Sequence, residues 1–259
     1  MTITGNVKFL DENRIDNNAT FAFTSAATAL SIYLYDNNRD KQLVSSGSND
    51  ATDEVFQIDF AVDKTFDRIF VDNHNIKAGK VEYWNGAAWV DFSSVIAWSA
   101  NTDTSNYYEF DSVTTGKVKL TMNTTQVVDA EKVVGQFRCF TELGTVVVNP
   151  SSMQPIFAES SVLHNMEGAG SLYVRFGERY ETVMNFMDSA DVDMTLFRAL
   201  KNRGLPFYTY PSGGLTTRTQ EGFRTQDMYY VNYINNYSPT VKANIFGIGT
   251  ALSMHLKGV

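Results

Sequence analysis

Apolar and polar residues alternate with a period of two across much of the first 150 positions. Phe56, Ile58 and Phe60 alternate with Gln57 and Asp59, and Val118, Leu120 and Met122 alternate with Lys119 and Thr121. Successive side chains of a strand point to opposite faces, so each run predicts a strand with one face on a core. The stretch from Phe66 to Phe92 predicts a buried strand, an Asn73-His74-Asn75 loop and a tight hairpin. Tyr83 and Trp84 end the first arm of that hairpin, Asn85-Gly86 makes the turn, and Trp89 sits on the return. Asn-Gly between apolar runs predicts a type I′ turn, in which both central residues need positive φ. Polar segments at 37–40, 45–53 and 101–106 separate the runs. Seven or eight short strands divided in this way predict a β-sandwich or jelly roll. No strong helical stretch lies between them to support a parallel α/β fold.

The pattern changes in the second part. Strands are expected over 171–176 and 182–187, followed by a helix near 190–203. Ser189 or Asp191 can cap it, and Asp191 and Asp193 suit the positive end of its dipole. Val192, Leu196, Ala199 and Leu200 form an apolar stripe at helical spacing, and Arg198, Lys201 and Arg203 gather towards the end. Gly204 supplies a left-handed stop and Pro206 blocks continuation. Further strands are expected at 207–210, 228–233 and 252–256. All five prolines lie at or beyond position 150, and Asn149 to Pro155 holds two of them, so a linker is expected at 149–156. The expected organisation is a sandwich over 1–148 and a smaller α+β assembly domain over 157–259.

Composition narrows the classes. The 259 residues are 43% hydrophobic and 13% aromatic, enough for real cores. No run reaches the roughly 18 apolar residues of a bilayer span, so no membrane insertion is expected. The first residues, MTITGNVKFLDENR, lack a charged region followed by an apolar core, and no secretory signal is read there. Cys139 is the single cysteine, which excludes an intrachain disulfide and suits a reducing cytoplasm. The net charge of −8 comes from 1–150, with 20 acidic and 12 basic groups; 151–259 hold 9 of each. An acidic half is a poor footprint for nucleic acid.

Candidate chemistry is sparse. His74, His164 and His255 are far apart and none belongs to a zinc-type pair. No nucleophile elbow, P-loop or dinucleotide fingerprint is present, and Gly213-Gly214 reads as a turn. Asp191 and Asp193, two positions apart, fall on different helix faces. No catalytic residue and no cofactor are therefore expected. Asp36 to Asp40 is rich in the hard oxygen ligands that calcium uses, with Asp36 and Asp40 the candidates, or else forms a polar turn. Trp84, Trp89, Trp98, Tyr107 and Tyr108 are candidates for stacking a sugar or a partner, with Trp84, Trp89, Tyr107 and Tyr108 the expected surface; the other reading is cross-strand packing.

Several segments carry a resemblance over roughly 15–146. These are Tyr35-Asp36-Asn37, Ile58-Asp59-Phe60, Asp67-Arg68-Ile69 running on to His74-Asn75, Glu82-Tyr83-Trp84 with Trp89, and Glu142-Leu143-Gly144. Together they resemble the discoidin-type (F5/8 type C, galactose-binding-like) β-sandwich in the form carried by phage virion proteins. Residues 157–259, through Arg175 to Arg179, Phe197 to Leu200 and Pro206 to Gly214, resemble the second half of some phage tail proteins. The resemblance implies a non-enzymatic bacteriophage structural protein of the tail tip or baseplate, made in the host cytoplasm and resident in the virion. Its implied partners are other phage tail proteins and further copies in a homo-oligomeric ring. The alternative it implies is an adhesion module that binds a host surface polysaccharide. The disulfide that closes secreted discoidin domains is absent here.

Overall fold

The computed structural model describes residues 7–25, 28–36, 41–48, 50–147, 152–166, 170–186, 191–210, 229–233, 240–244 and 247–258. The strands in chain order are β1 (Lys8–Leu10), β2 (Thr20–Phe23), β3 (Leu43–Ser48), β4 (Glu54–His74), β5 (Ile76–Trp84), β6 (Trp89–Val90), β7 (Ile96–Trp98) and β8 (Ser105–Thr125). They continue with β9 (Glu131–Phe140), β10 (Glu142–Thr145), β11 (Ser152–Met166) and β12 (Gly170–Phe186). The helix α1 (Asp191–Arg203) follows, then β13 (Phe207–Tyr210), β14 (Tyr229–Tyr233), β15 (Thr240–Asn244) and β16 (Gly247–Gly258). The chain is mainly β, as the alternating pattern predicts, and the helix lies where its cap and stop signals place it.

The chain divides into two units, one of residues 12–142 and the other of 1–11 with 143–259. This differs from the expected boundary at 149–156, because residues 152–156 belong to β11. The opening segment also behaves differently from expectation. Instead of starting the sandwich, β1 pairs with β13, Lys8 opposite Tyr210 and Leu10 opposite Tyr208. Two X-Pro steps disfavour helix, but an edge strand tolerates proline; β11 ends its sheet and Pro155 stands opposite Thr182 of β12.

Residues 12–142 form the sandwich, and two 21-residue strands, β4 and β8, run through both of its halves. In the first half, Glu54 to Asp59 of β4 pair with β8 from Lys117 to Met122, with β2 on one side and β5 beyond β8. In the second half, Arg68 to Asp72 of β4 pair with β8 from Ser105 to Glu109, and β9 and β3 follow on the other side. Register shifts at 59/64 and 66/68 mark the corner between the halves, as bulges do where a sheet bends. One apolar core draws on both: Phe56, Ile58, Val118 and Leu120 from the first, Ile69, Val71, Phe137 and Cys139 from the second. Gly79 is required by a close approach, since a Cβ there would lie 2.4 Å from the backbone oxygen of Thr121.

In the other unit the sheet runs β10-β1-β13-β14-β16-β12-β11, with β15 beside β16. The two strands expected at 171–176 and 182–187 are one continuous strand, β12. Phe9, Phe197 and Phe207 pack edge to face, with ring centroids 6.4 and 5.7 Å from Phe9. The buried stripe of α1 contains Met194, Phe197 and Leu200, while Ala199 is exposed. The larger side chains thus take the core, one step round from the expected face. Asp193 is fully buried, and its carboxylate accepts the Val147 N–H at 2.7 Å. Gly204 ends the helix with φ of 64°. Ser189, Met187, Met228 and Gly213-Gly214 lie outside the described residues.

Candidate functional site

The Trp84–Trp89 hairpin is closed by its asparagine side chain. Trp84 and Trp89 stand directly opposite each other, so the loop is the four residues 85–88. Asn85 Oδ1 accepts the backbone N–H groups of Ala87 (3.0 Å) and Ala88 (2.9 Å), and Gly86 has φ of 98°. Asn85 itself has no positive φ. The expected two-residue type I′ turn is therefore replaced by an Asx-type turn, in which the side chain mimics a backbone acceptor. Thr115 Oγ1 donates to the Trp84 carbonyl at 2.7 Å and ties the hairpin to β8.

Alternation along β5 sorts its side chains onto two faces. Val81 is fully buried, and Tyr83 packs on Phe92 with ring centroids 5.0 Å apart. Lys80, Glu82 and Trp84 take the outward positions, joined by Lys117 and Lys119 of β8 and Gln57 and Asp59 of β4. The half-buried indoles of Trp84 and Trp89 meet edge to face at 5.6 Å, 68° apart, and the Lys119 ammonium lies 4.6 Å over the Trp89 ring. Glu82 Oε1 receives Lys80 Nζ at 2.6 Å, and its Oε2 pairs with Lys119 Nζ at 2.8 Å. Burial works to raise the Glu82 pKa, but Lys119 and Lys80 outweigh it and hold the carboxyl below its usual range. Lys117 pairs with Asp59 at 2.8 Å, and Gln57 Nε2 donates to Asp59 at 2.7 Å. The result is a pair of half-buried indoles, set edge to face and bordered by charged and amide groups.

The remaining aromatic candidates do not join it. Trp98 is buried in the core, and Tyr108 packs on it with centroids 5.8 Å apart. Burial pushes the Tyr108 hydroxyl up to about 12. Tyr107 stands opposite Phe70 on the other face of β8, near Arg68. Of the four residues expected to form a surface, Trp84 and Trp89 stand together, while Tyr108 packs on Trp98 and Tyr107 lies near Arg68.

Asp72, His74 and Ser105, buried polar residues of the sandwich, are held by side-chain and backbone bonds. His74 Nδ1 accepts the Ile76 N–H at 3.1 Å, so Nε2 carries the proton and donates to Asn106 Oδ1 at 2.8 Å. The same oxygen accepts Trp98 Nε1–H at 3.1 Å. Burial lowers the His74 pKa, against the opposing pull of Asn106, Asp72 and Asp103. Ser105 Oγ donates to Asp72 Oδ1 at 2.5 Å. Asp72, His74 and Ser105 therefore form separate bonds rather than an Asp–His–Ser relay. Of the calcium candidates, Asp36 accepts Gln136 Nε2 at 3.1 Å, and Asp40 lies outside the described residues. Among the described residues no group of three or more His, Cys, Asp or Glu side chains is placed to hold a metal. A mixed-charge cleft of about 280 Å³ lies around the Lys64–Asp16 ion pair. The side chains of His164 and His255 are outside those described.

No family model matches the chain, and no curated protein matches it. Among solved structures, it is similar to the chitosan-binding module 1 of a chitosanase/glucanase from Paenibacillus sp. IK-5. That match has 11% identity and a TM-score of 0.42, over 50% of this chain and 98% of that one. The chitosan-binding module 2 of the same enzyme, solved with chitotriose, matches at 15% identity and a TM-score of 0.40, over 48% and 96%. A putative alpha-L-fucosidase from Bacteroides thetaiotaomicron matches at 14% identity and a TM-score of 0.42, over 49% of this chain and 28% of that one. Only about a quarter of the fucosidase's length is thus spanned.

Proposed function

We propose that residues 12–142 are a non-catalytic glycan-binding module, and that sugar rings stack on the outward face built round Trp84 and Trp89. The observation that carries this reading is the pairing of two half-exposed indoles directly opposite each other, bordered by Lys80, Glu82 and Lys119. A pyranose offers an apolar C–H face that suits an indole and a rim of hydroxyls that suits charged and amide groups. The module would attach its carrier to a surface polysaccharide. Full-length protein on a glycan array should bind at least one polysaccharide, and Trp84→Ala and Trp89→Ala should lose that binding with circular dichroism unchanged. A blank array at millimolar sensitivity overturns the reading.

A bacteriophage tail-tip or baseplate role is the second reading, favoured by the chain order. The unit of 1–11 and 143–259 receives the sandwich between β1 and β10, neighbouring strands of one sheet, an arrangement suited to displaying a module on an assembling body. It entails a homo-oligomeric ring, since repeated heterologous contacts must close to avoid filaments. Sedimentation should then show one closed oligomer. A strictly monomeric mass at high concentration, with no binding to tail proteins, removes it. The two readings are compatible.

A further inference from the structure

We propose that the Trp84–Trp89 face prefers anionic saccharides, bearing carboxylate or sulfate groups, over neutral or cationic ones; this rests on the glycan-binding reading above. The ground is the depth at which the charges sit. In every ion pair of the face the cation is the more exposed partner: Lys80 46% against Glu82 9%, Lys117 40% against Asp59 32%, and Lys119 18% against the same Glu82. The Lys80 ammonium is therefore what an incoming ligand meets first, with the Glu82 carboxylate beneath it.

The chemistry of Glu82 strengthens the point. Each of its oxygens lies within ion-pair distance of a lysine, and its side chain is only 9% exposed, so it is poorly placed to receive a cationic sugar. Lys119 is held over the Trp89 ring, where a stacked sugar would meet it. These lysines belong to a unit that is itself strongly acidic, with 19 acidic and 11 basic residues between 12 and 142. The exposed acid acting on Lys80 besides Glu82 is Asp91, which works against an anion. Interactions at half-exposed sites are individually modest, so the effect is one of selectivity, added to the stacking.

The experiment is a titration of the full chain, followed by tryptophan fluorescence. The ligands are alginate, polygalacturonate and heparin oligosaccharides, against dextran and galactomannan fragments and chitosan oligomers. Trigalacturonate and its methyl ester, which share a backbone and differ in charge and in the ester methyl groups, form the matched pair. An anionic ligand should bind at low salt and lose affinity as salt shortens the Debye length from ~30 to ~3 Å. Lys80→Gln and Lys119→Gln should each weaken it by about two- to fivefold, and Asp91→Asn should strengthen it. Lys77→Gln, an exposed lysine near the other end of β5, should leave it unchanged, and Trp84→Ala should abolish it. Equal binding of acid and ester, or a neutral glycan bound through Trp84 and indifferent to Lys80, overturns the charge preference while the glycan reading stands. Anionic binding that survives Trp84→Ala, or falls equally with Lys77→Gln, is unspecific attraction and overturns it too. Failure of every ligand removes the glycan reading and the preference with it.

Discussion

Residues 12–142 and the unit of 1–11 with 143–259 are of nearly equal length, yet their charge and chain paths differ. The sandwich holds all of the net charge: 19 acidic and 11 basic residues, a balance of −8, against 10 and 10 in the other unit. It is continuous in sequence, whereas its companion is assembled from both ends of the chain. The sandwich also carries a half-exposed indole pair on a face whose other side chains are mutually paired. A unit closed by its own first and last segments can carry an insert without breaking its sheet, because the break falls between neighbouring strands. The chain thus forms two units, and each should answer to its own core.

Weakening one core at a time should show whether the two units unfold independently. Phe66 is fully buried and meets Phe110 edge to face at 6.0 Å, and Phe197 is fully buried beside Phe9. Phe66→Ala and Phe197→Ala should each cost about 3–5 kcal/mol. Calorimetry should show each moving a different transition; a single transition shifted alike by both makes the chain one cooperative unit. Next in size is Trp84→Ala, which should lower glycan affinity by roughly 2 kcal/mol or more, as a central tryptophan contact does. Glycan affinity unchanged in a folded Trp84→Ala variant would reduce the pair to packing.

A pH series sharpens the comparison further. Residues 12–142 contain a single histidine, His74, buried and with its pKa lowered from 6.5. Above pH 6.5 the imidazole is neutral whether folded or unfolded, so its contribution is fully present. As pH falls below 6.5 the unfolded chain binds a proton that the folded state resists, and stability declines until the folded pKa is passed. Urea unfolding of the sandwich should therefore shift to lower midpoints between about pH 7.5 and about pH 5.5. His74→Gln should flatten that slope, and an unchanged slope in the variant would assign the pH dependence to other groups. The smallest effect belongs to Lys117→Gln, which breaks the pair with Asp59 and should cost about 1 kcal/mol or less in thermal unfolding.

Much of the sandwich was legible because its signals are local. The alternation at 56–60 and 118–122 returned as strands with Phe56, Ile58, Val118 and Leu120 in the core. The helix fell at Asp191–Arg203, with Gly204 at positive φ. The hairpin turn was misread in type, because Asn85 serves through its side-chain oxygen and the dipeptide rule considers only backbone φ. Tyr107 and Tyr108 share with Trp84 and Trp89 only their chemistry as aromatics, and adjacent strand positions face apart, so which of them meet is decided by strand pairing. The boundary at 149–156 followed the prolines. Nothing in Lys8 to Leu10 announces a partner about 200 positions away, so the split unit was invisible.

The alternating strands of the sandwich, the helix with its ends, the tight aromatic hairpin and the uneven charge are written in the sequence, since period, capping and composition act over a few residues. Only the tertiary structure decided that the first strand closes the far unit and that Trp84 and Trp89 stand clear of the core while Trp98 and Tyr108 enter it. It also decided that Lys80 lies above the carboxylate of Glu82. Those outcomes depend on register between strands distant in sequence, and on the desolvation cost that decides which side chain of each pair stays in water.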